Sequence, residues 1–501
     1  MTMPTKRDGA EGRKPSLRRN MLANASMTAL NFLIPLVTLP YSSRILGPEG
    51  IGRVGFALSI AGNFAMFAGL IGTIYGTREV ARARDDEGRL GKVFSELLAI
   101  NGLAYGLAFL AFLAVAVLTP RFHEDLPVFM VAAASLAAAA INVDWLFQGL
   151  EDYGFIFFRN LAAKLASVLL LFVLVHSNGD VFPYAIVAVS ALVVGNVWNL
   201  AGAMRRVRFS LRGIEAGRHI KGIGSFYLVN LLTVVTVNLD KTWIGFFGGA
   251  AQLGLYSLAD KVVFLGVSVT SSLSVVLLPR VSHAFAKGDE GALRQGLELS
   301  WKFALLLALP LAVGAGLLSG DIARALGGEA FGEAGSVLGI LSVDIFSITL
   351  AYIFGVQILC GRGMERRYLI SLALAVGVLA FGLWALVPRF GALGGAISVA
   401  SSYLVQAITQ AIQSWKVFKT VLRPRNDFKF LLACLAMAGA VLAFRGIPAV
   451  AALGPIPRFF ASGALGGLVY FATLFGTREE FVRRLGGAAL GLLRGRAGQA
   501  R

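Results

Sequence analysis

Two Asp-Lys pairs, Asp240-Lys241 and Asp260-Lys261, stand in stretches that are otherwise apolar. Isolated charges of the same kind recur elsewhere, at Arg44, Asp144, Lys164, Lys302 and Asp344. A Lys or Asp at the centre of a membrane helix costs roughly 2.5–3.5 kcal/mol on insertion scales, so such residues ordinarily face a bundle interior or a water path. Lys offers an anion a hydrated point charge, and Arg offers phosphate a two-pronged fork. A polar space carrying Arg44, Lys164, Lys241 and Lys261 would attract phosphates or acidic sugars. Asp144, Asp240, Asp260 and Asp344 are the groups that could bind a cation or a proton. Asn31 and Asn63 lie on polar stripes of the first two helices and add neutral hydrogen-bonding groups. The plainer alternatives are snorkelling for charges near a helix end and helix–helix packing for the Ser, Thr and Asn positions.

Other motifs carry no chemistry. Gly50-Ile-Gly52-Arg-Val-Gly55 fits the dinucleotide pattern, but no strand precedes it. The chain holds no Gly-x4-Gly-Lys-Ser/Thr, and Asn24-Ala-Ser26 lies at the mouth of the first helix. His123-Glu124-Asp125 is a polar turn, and four histidines scattered along the chain give no metal-ligand spacing. Cys360 and Cys434 are far apart and suggest neither a metal site nor a disulfide framework. No catalytic group and no bound cofactor are expected.

The elements that must position these charges are transmembrane helices. Of 501 residues, 56% are hydrophobic and 15% charged, against roughly 25% charged in a soluble domain. Apolar runs long enough to cross the hydrocarbon core, about 20 residues each, recur at 21–45, 52–77, 93–119, 126–150, 155–176, 181–204, 222–247, 251–279, 297–319, 333–360, 366–387, 391–414, 430–447 and 459–476. The fold class is all-α, a polytopic membrane protein of about fourteen helices. With a cytoplasmic N-terminus, 35 of the 46 Lys and Arg fall in cytoplasmic stretches or at their edges, as the positive-inside rule requires. Both ends are then cytoplasmic. The net charge of +18 is thus orientation information and calls for no nucleic acid. The layout reads as a basic N-terminus (1–20), a first bundle (21–204), a basic linker (205–221), a second bundle (222–414), an appended pair (415–476) and a basic tail (477–501).

The turn after the first helix, Gly47-Pro-Glu-Gly-Ile-Gly52-Arg-Val-Gly-Phe-Ala57, is echoed by Gly248-Gly-Ala-Ala-Gln-Leu-Gly254-Leu-Tyr-Ser-Leu-Ala259 with one residue of slippage. The two bundles would be parallel repeats, which place a substrate site at their interface.

The opening motif Asn31-x3-Pro35-x4-Pro40-Tyr-Ser-Ser-Arg44-Ile-Leu-Gly-Pro-Glu-Gly-x-Gly52 resembles the first helix and turn of Wzx-like polysaccharide flippases. These belong to the multidrug/oligosaccharidyl-lipid/polysaccharide superfamily. The similarity continues through Gly76-Thr-Arg78-Glu79-Val-Ala, Asp144-Trp145-Leu-Phe-Gln148-Gly-Leu-Glu151, Asn238-Leu-Asp240-Lys241 and Gly254-Leu-Tyr256-Ser-Leu-Ala-Asp-Lys261. It spans roughly 20–285, and beyond Lys287 rests on topology. The resemblance implies two pseudo-symmetric six-helix bundles around a cavity, plus two C-terminal helices. It also implies alternating access in the bacterial inner membrane, driven by a gradient of H+ or Na+. The implied cargo is an undecaprenyl-diphosphate-linked oligosaccharide, handed on to membrane partners such as the polysaccharide polymerase machinery. A lipid II flippase, a cation-coupled drug exporter and a membrane polysaccharide polymerase or ligase are the rival readings. The last of these lacks support from any large periplasmic loop.

Overall fold

The computed structural model describes residues 17–71, 73–210, 215, 217–219, 227, 238–421 and 426–483. Most of the expected basic N-terminus, most of the seventh apolar run and the end of the basic tail therefore lie outside the described residues, and parts of the linker do too. Among the described residues every regular element is helical.

The first helix, α1 (Leu17–Ala68), contains 52 residues. A straight helix of that length would run about 78 Å, against a hydrocarbon core of about 30 Å. It is divided at Gly47, whose φ of 66° and ψ of 179° leave the helical region. The first bundle continues with α2 (Thr73–Ala83), α3 (Glu87–Leu118), α4 (Leu126–Ala140), α5 (Asp144–Gly149), α6 (Tyr153–Leu174) and α7 (Val181–Met204). Helices α4 and α5 form one crossing, interrupted at 141–143. A break at membrane depth frees carbonyls that must find donors. Asn101 Nδ2 donates to the carbonyls of Ala139 (2.9 Å) and Ala140 (3.0 Å), and Asn196 Nδ2 to that of Ala138 (2.9 Å).

The second bundle opens with the helical stretch 238–247. It continues with α8 (Ala250–Lys287), α9 (Glu290–Phe303), α10 (Leu309–Leu317), α11 (Ser319–Gly327), α12 (Ala334–Leu341), α13 (Val343–Ala351) and α14 (Glu365–Val421). Wide π turns at Ala304–Ala308 and Tyr352–Cys360 link α9 to α10 and extend α13. Helix α14 folds back at Gly391, where φ is 53°. Ser402 Oγ thereby reaches the carbonyl of Ala375 (2.8 Å), and Gln410 Nε2 reaches Ser371 Oγ (2.9 Å). Among the described residues, eleven helical runs are long and apolar enough to cross a membrane. Two of them, α1 and α14, contain the kinks just described, and the run 222–247 is largely undescribed. These three account for the difference from the expected fourteen.

An appended hairpin, α15 (Phe428–Arg445) and α16 (Pro455–Gly476), packs through Phe430, Met437 and Tyr470 on the π turn after α9. Charges pin it at both ends. Lys302 Nζ lies 2.8 Å from Asp427 and 2.9 Å from Glu479. At the other end the fully buried Asp321 receives Arg458 Nε at 2.8 Å and faces Arg445 at 3.1 Å. Lys302 is thus a fastening for the hairpin. Large apolar side chains on outward faces, such as Leu103, Phe158, Phe381 and Leu468, remain exposed, which is what a lipid solvent selects.

Candidate functional site

The two bundles meet along α1 and α8, and the contact repeats itself under the internal symmetry. Gly47 and Gly249 both have positive φ, 66° and 86°, a region open to glycine at little cost. At the same sequence offset stand Gly52 and Gly254. A Cβ on Gly52 would collide with the carbonyl of Ala250, and a Cβ on Gly254 with that of Pro48. Pro48 and Ala250 are themselves counterparts, so the contact is reciprocal. The echo read in the sequence is a backbone-to-backbone seam that closes one end of the bundle interface. We call this the sealed end.

Beneath the seal lies a cavity of about 610 Å³. Val54 and Ser59 of α1, Tyr184 of α7 and Asn238 line it, together with Ser257 and Phe264 of α8 and Tyr403 of α14. Five of the charges singled out in the sequence converge here: Asp240, Lys241, Asp260, Lys261 and Asp344. Lys241 Nζ pairs with Asp260 Oδ2 at 2.9 Å. The buried Asp240 accepts the Tyr256 hydroxyl and, at 2.8 Å, the backbone N–H of Lys241. Asp344 is 1% exposed and its Oδ1 meets no donor among the described residues. Lys261 is exposed to the cavity, with no ion pair or hydrogen bond among the described residues. A second cavity of about 320 Å³ adjoins the first and shares Tyr184, Ala188, Lys261 and Phe264 with it. Thr38 and Ser42 of α1 and Lys164 and Ser167 of α6 form its polar wall, with Pro35, Leu39, Val168 and Leu171 as its apolar part. Lys164 and Lys261, one from each bundle, thus face one amphiphilic space.

The remaining candidates are placed elsewhere. Arg44 is on the outside of the sealed end, its Nη2 donating to the carbonyl of Ala325 (2.6 Å). Asn63 Nδ2 donates to Thr242 Oγ1 (2.7 Å), bridging the bundles beside the cavity without lining it. Asp144 sits at the α4–α5 break, where it accepts the buried Arg159 (2.7 Å) and Asn199 Nδ2 (2.9 Å). The side chain of Asn31 lies outside the described ones. His123 bonds the Val117 carbonyl at 2.8 Å and Asp125 pairs with Arg53, so that turn is built of internal contacts.

Sequence reasoning did not single out Asn238, Tyr256 or Tyr403 as lining or supporting residues. The first two stand inside the quoted motifs, which was the available signal; Tyr403 has none. A further buried group, Glu96 of α3, was also missed. It receives the backbone N–H of Glu215 (2.9 Å), His219 Nε2 (3.0 Å) and Arg218, while Tyr75 Oη meets His219 Nδ1 at 2.7 Å. The linker between the bundles is therefore fastened to the first one.

Comparison with known proteins places this architecture. Residues 17–285 match the family described as polysaccharide biosynthesis proteins, and residues 226–384 match the MatE family. A protein of Escherichia coli (strain K12) named for O-antigen transport is 24% identical over 403 residues, covering 77% of this chain and 94% of that one. The succinoglycan biosynthesis transport protein ExoT of Rhizobium meliloti (strain 1021) is 25% identical over 468 residues, covering 91% and 92%. Among solved structures, the lipid II flippase MurJ in an inward closed conformation superposes with a TM-score of 0.71 at 11% identity, over 92% of this chain and 98% of that one. That likeness is one of fold.

Proposed function

The chain belongs to the polysaccharide biosynthesis protein family, a multi-pass membrane flippase of the multidrug/oligosaccharidyl-lipid/polysaccharide superfamily, and from that membership we propose what it carries and how. The cargo is an undecaprenyl-diphosphate-linked oligosaccharide, moved from the cytoplasmic to the periplasmic leaflet of a bacterial inner membrane by alternating access. The names of its relatives, for O-antigen and succinoglycan, support a surface polysaccharide.

One observation carries the reading. Lys261 faces both cavities without a carboxylate partner among the described residues, and Lys164 faces the smaller one from the opposite bundle. A diphosphate entering there meets two ammonium groups in a space whose other wall is apolar. The sugar can occupy the larger cavity, where hydroxyls and Asn238 replace water. The lipid tail can stay in the bilayer, since a chain of CH₂ groups gains nothing by leaving it. Arg44 and Asn63 are not needed as cargo contacts.

The three carboxylates of the larger cavity favour a second role in the same site. Asp344, buried and unpaired at Oδ1, is the group best placed to take up H+ or Na+ as the gradient drives the cycle. In this reading the sealed end is periplasmic, both termini are cytoplasmic, and the cavity faces the cytoplasm.

The test is complementation of a strain lacking its own flippase. Lys261→Ala should weaken head-group binding about 10–100-fold, the worth of one charge-assisted hydrogen bond, and abolish most surface glycan at normal protein level. Lys261→Arg should retain part of it. Full glycan display by Lys261→Ala would remove the cationic site.

A further inference from the structure

The sealed end carries two side-chain contacts that no cargo reading explains. Arg44, at the end of the first crossing of α1, donates from Nη2 to the carbonyl of Ala325 at the end of α11 (2.6 Å). Arg121, in the turn between α3 and α4, donates from Nη2 to the carbonyl of Phe246 (2.5 Å) and lies over the Phe246 ring, 5.4 Å from its centroid. Each contact joins one bundle to the other. The internal repeat relates them as well. Phe246 stands at the offset from Arg44 that separates Gly47 from Gly249, and Ala325 lies close beyond the counterpart of Arg121.

Under the pseudo-symmetry, then, the end of each bundle's first crossing is tied to a hairpin turn of the other bundle. In one tie the arginine belongs to the crossing, and in the other it belongs to the turn. Between the two ties sits the reciprocal glycine contact of Gly52 with Ala250 and Gly254 with Pro48. The glycines allow the backbones to touch, but bare backbone contact supplies little that is directional. A guanidinium held to a carbonyl is directional, charge-assisted and reversible.

We propose that Arg44 and Arg121 are a matched pair of gate staples, which hold the sealed end shut while the cavity faces the opposite leaflet and let go as the bundles part. This rests on the alternating-access reading given above. It assigns Arg44 to the closed state of the gate and away from the cargo, and it gives Arg121 a role of its own. Both are positioning residues, acting through the bundle interface. A contact present in one state and absent in the other shifts the population between them, whereas one kept in both states shifts nothing.

The experiment reads which side of the membrane reaches the cavity. Ser257 lines the larger cavity just inside the seal, opposite Gly55. Ser257→Cys is introduced into a chain whose Cys360 and Cys434 are replaced by alanine. Intact cells are then treated with a membrane-impermeant maleimide, and inverted vesicles are treated in parallel. The parent should label slowly from outside and readily from the cytoplasmic side. Arg44→Ala and Arg121→Ala should each raise outside labelling about three- to tenfold, as the loss of one partly exposed charged hydrogen bond implies. The two together should multiply, and Arg121→Lys should restore part of the protection. Gly52→Val, which wedges the seam directly, serves as the reference. If Gly52→Val exposes the cysteine and the arginine variants do not, the staples are overturned and alternating access stands. Outside labelling that stays absent in every variant, with labelling from the cytoplasmic side intact, would instead overturn the alternating-access reading.

Discussion

At the level of single residues, four of the five charges that converge, Asp240, Lys241, Asp260 and Lys261, lie close together in sequence, and Asp344 joins them only through packing. Lys241 and Asp260 flank the turn between the second bundle's first two helices, and their 2.9 Å pair follows once that turn folds. Asp240 and Lys261 are drawn in beside them. Arg44 and Asp144 could not be placed this way. Their partners, the Ala325 carbonyl and Arg159 with Asn199, are set by how helices pack, and a helical wheel gives the face but never the neighbour. Arg159, inside the run 155–176, is buried at 3% exposure and supplies the cation that Asp144 needs at the broken helix. Asp344 is the residue whose substitution says most about coupling. A carboxylate buried without donors tolerates its position only if the position is used. Asp344→Asn should leave binding of cargo in place and remove the dependence of flipping on the ion gradient. The check is glycan display with and without an ionophore. Display by the Asn variant that still falls when the gradient is collapsed would exclude Asp344 from coupling.

The elements themselves were read well where Gly and Pro punctuate apolar runs. The kinks of α1 and α14 fall at Gly47 and Gly391, at the boundaries drawn from the sequence. The break between α4 and α5 was invisible, since Ile141-Asn142-Val143 is no breaker. Tertiary contacts maintain it, with Asn101 and Asn196 taking up the freed carbonyls. The linker was read as a basic loop, and its composition hides that Glu96 on α3 is its socket. Lys92 pairs with Glu215 at 3.0 Å, and Ser95 Oγ accepts the N–H of Ser210 at 2.9 Å. Glu96→Ala should strand Arg218 and His219 beside a buried gap and cost about 2–3 kcal/mol, the penalty for an orphaned charged partner that is itself part exposed. Lower Tm in detergent, together with faster tryptic cleavage at Arg218, is the expected outcome. Cleavage at the rate of the parent would mean that the linker is held by other contacts.

For the molecule as a whole, the apolar runs and the alternation of basic stretches determine fold class and insertion, because a bilayer leaves the backbone little choice but helices. The repeat supplied the bundle interface from two short glycine-rich turns, and the reciprocal contact of those turns explains why glycine recurs there. The proposed orientation, with both termini cytoplasmic, rests on the Lys and Arg distribution. Phosphatase fusions after Gly217 and after Arg501 should be inactive and a fusion after Gly328 active, while activity at Arg501 would break the arrangement. The cargo is measured most directly with the purified chain in proteoliposomes, a labelled undecaprenyl-diphosphate-oligosaccharide and a membrane-impermeant glycosidase outside. With the chain present and an ion gradient imposed, the enzyme-sensitive fraction should rise from about half toward completion as inner-leaflet molecules cross. Lys261→Ala should slow that rise about tenfold or more. A sensitive fraction that stays at the level of protein-free liposomes, with the folded chain present and the gradient in place, would contradict the proposed cargo.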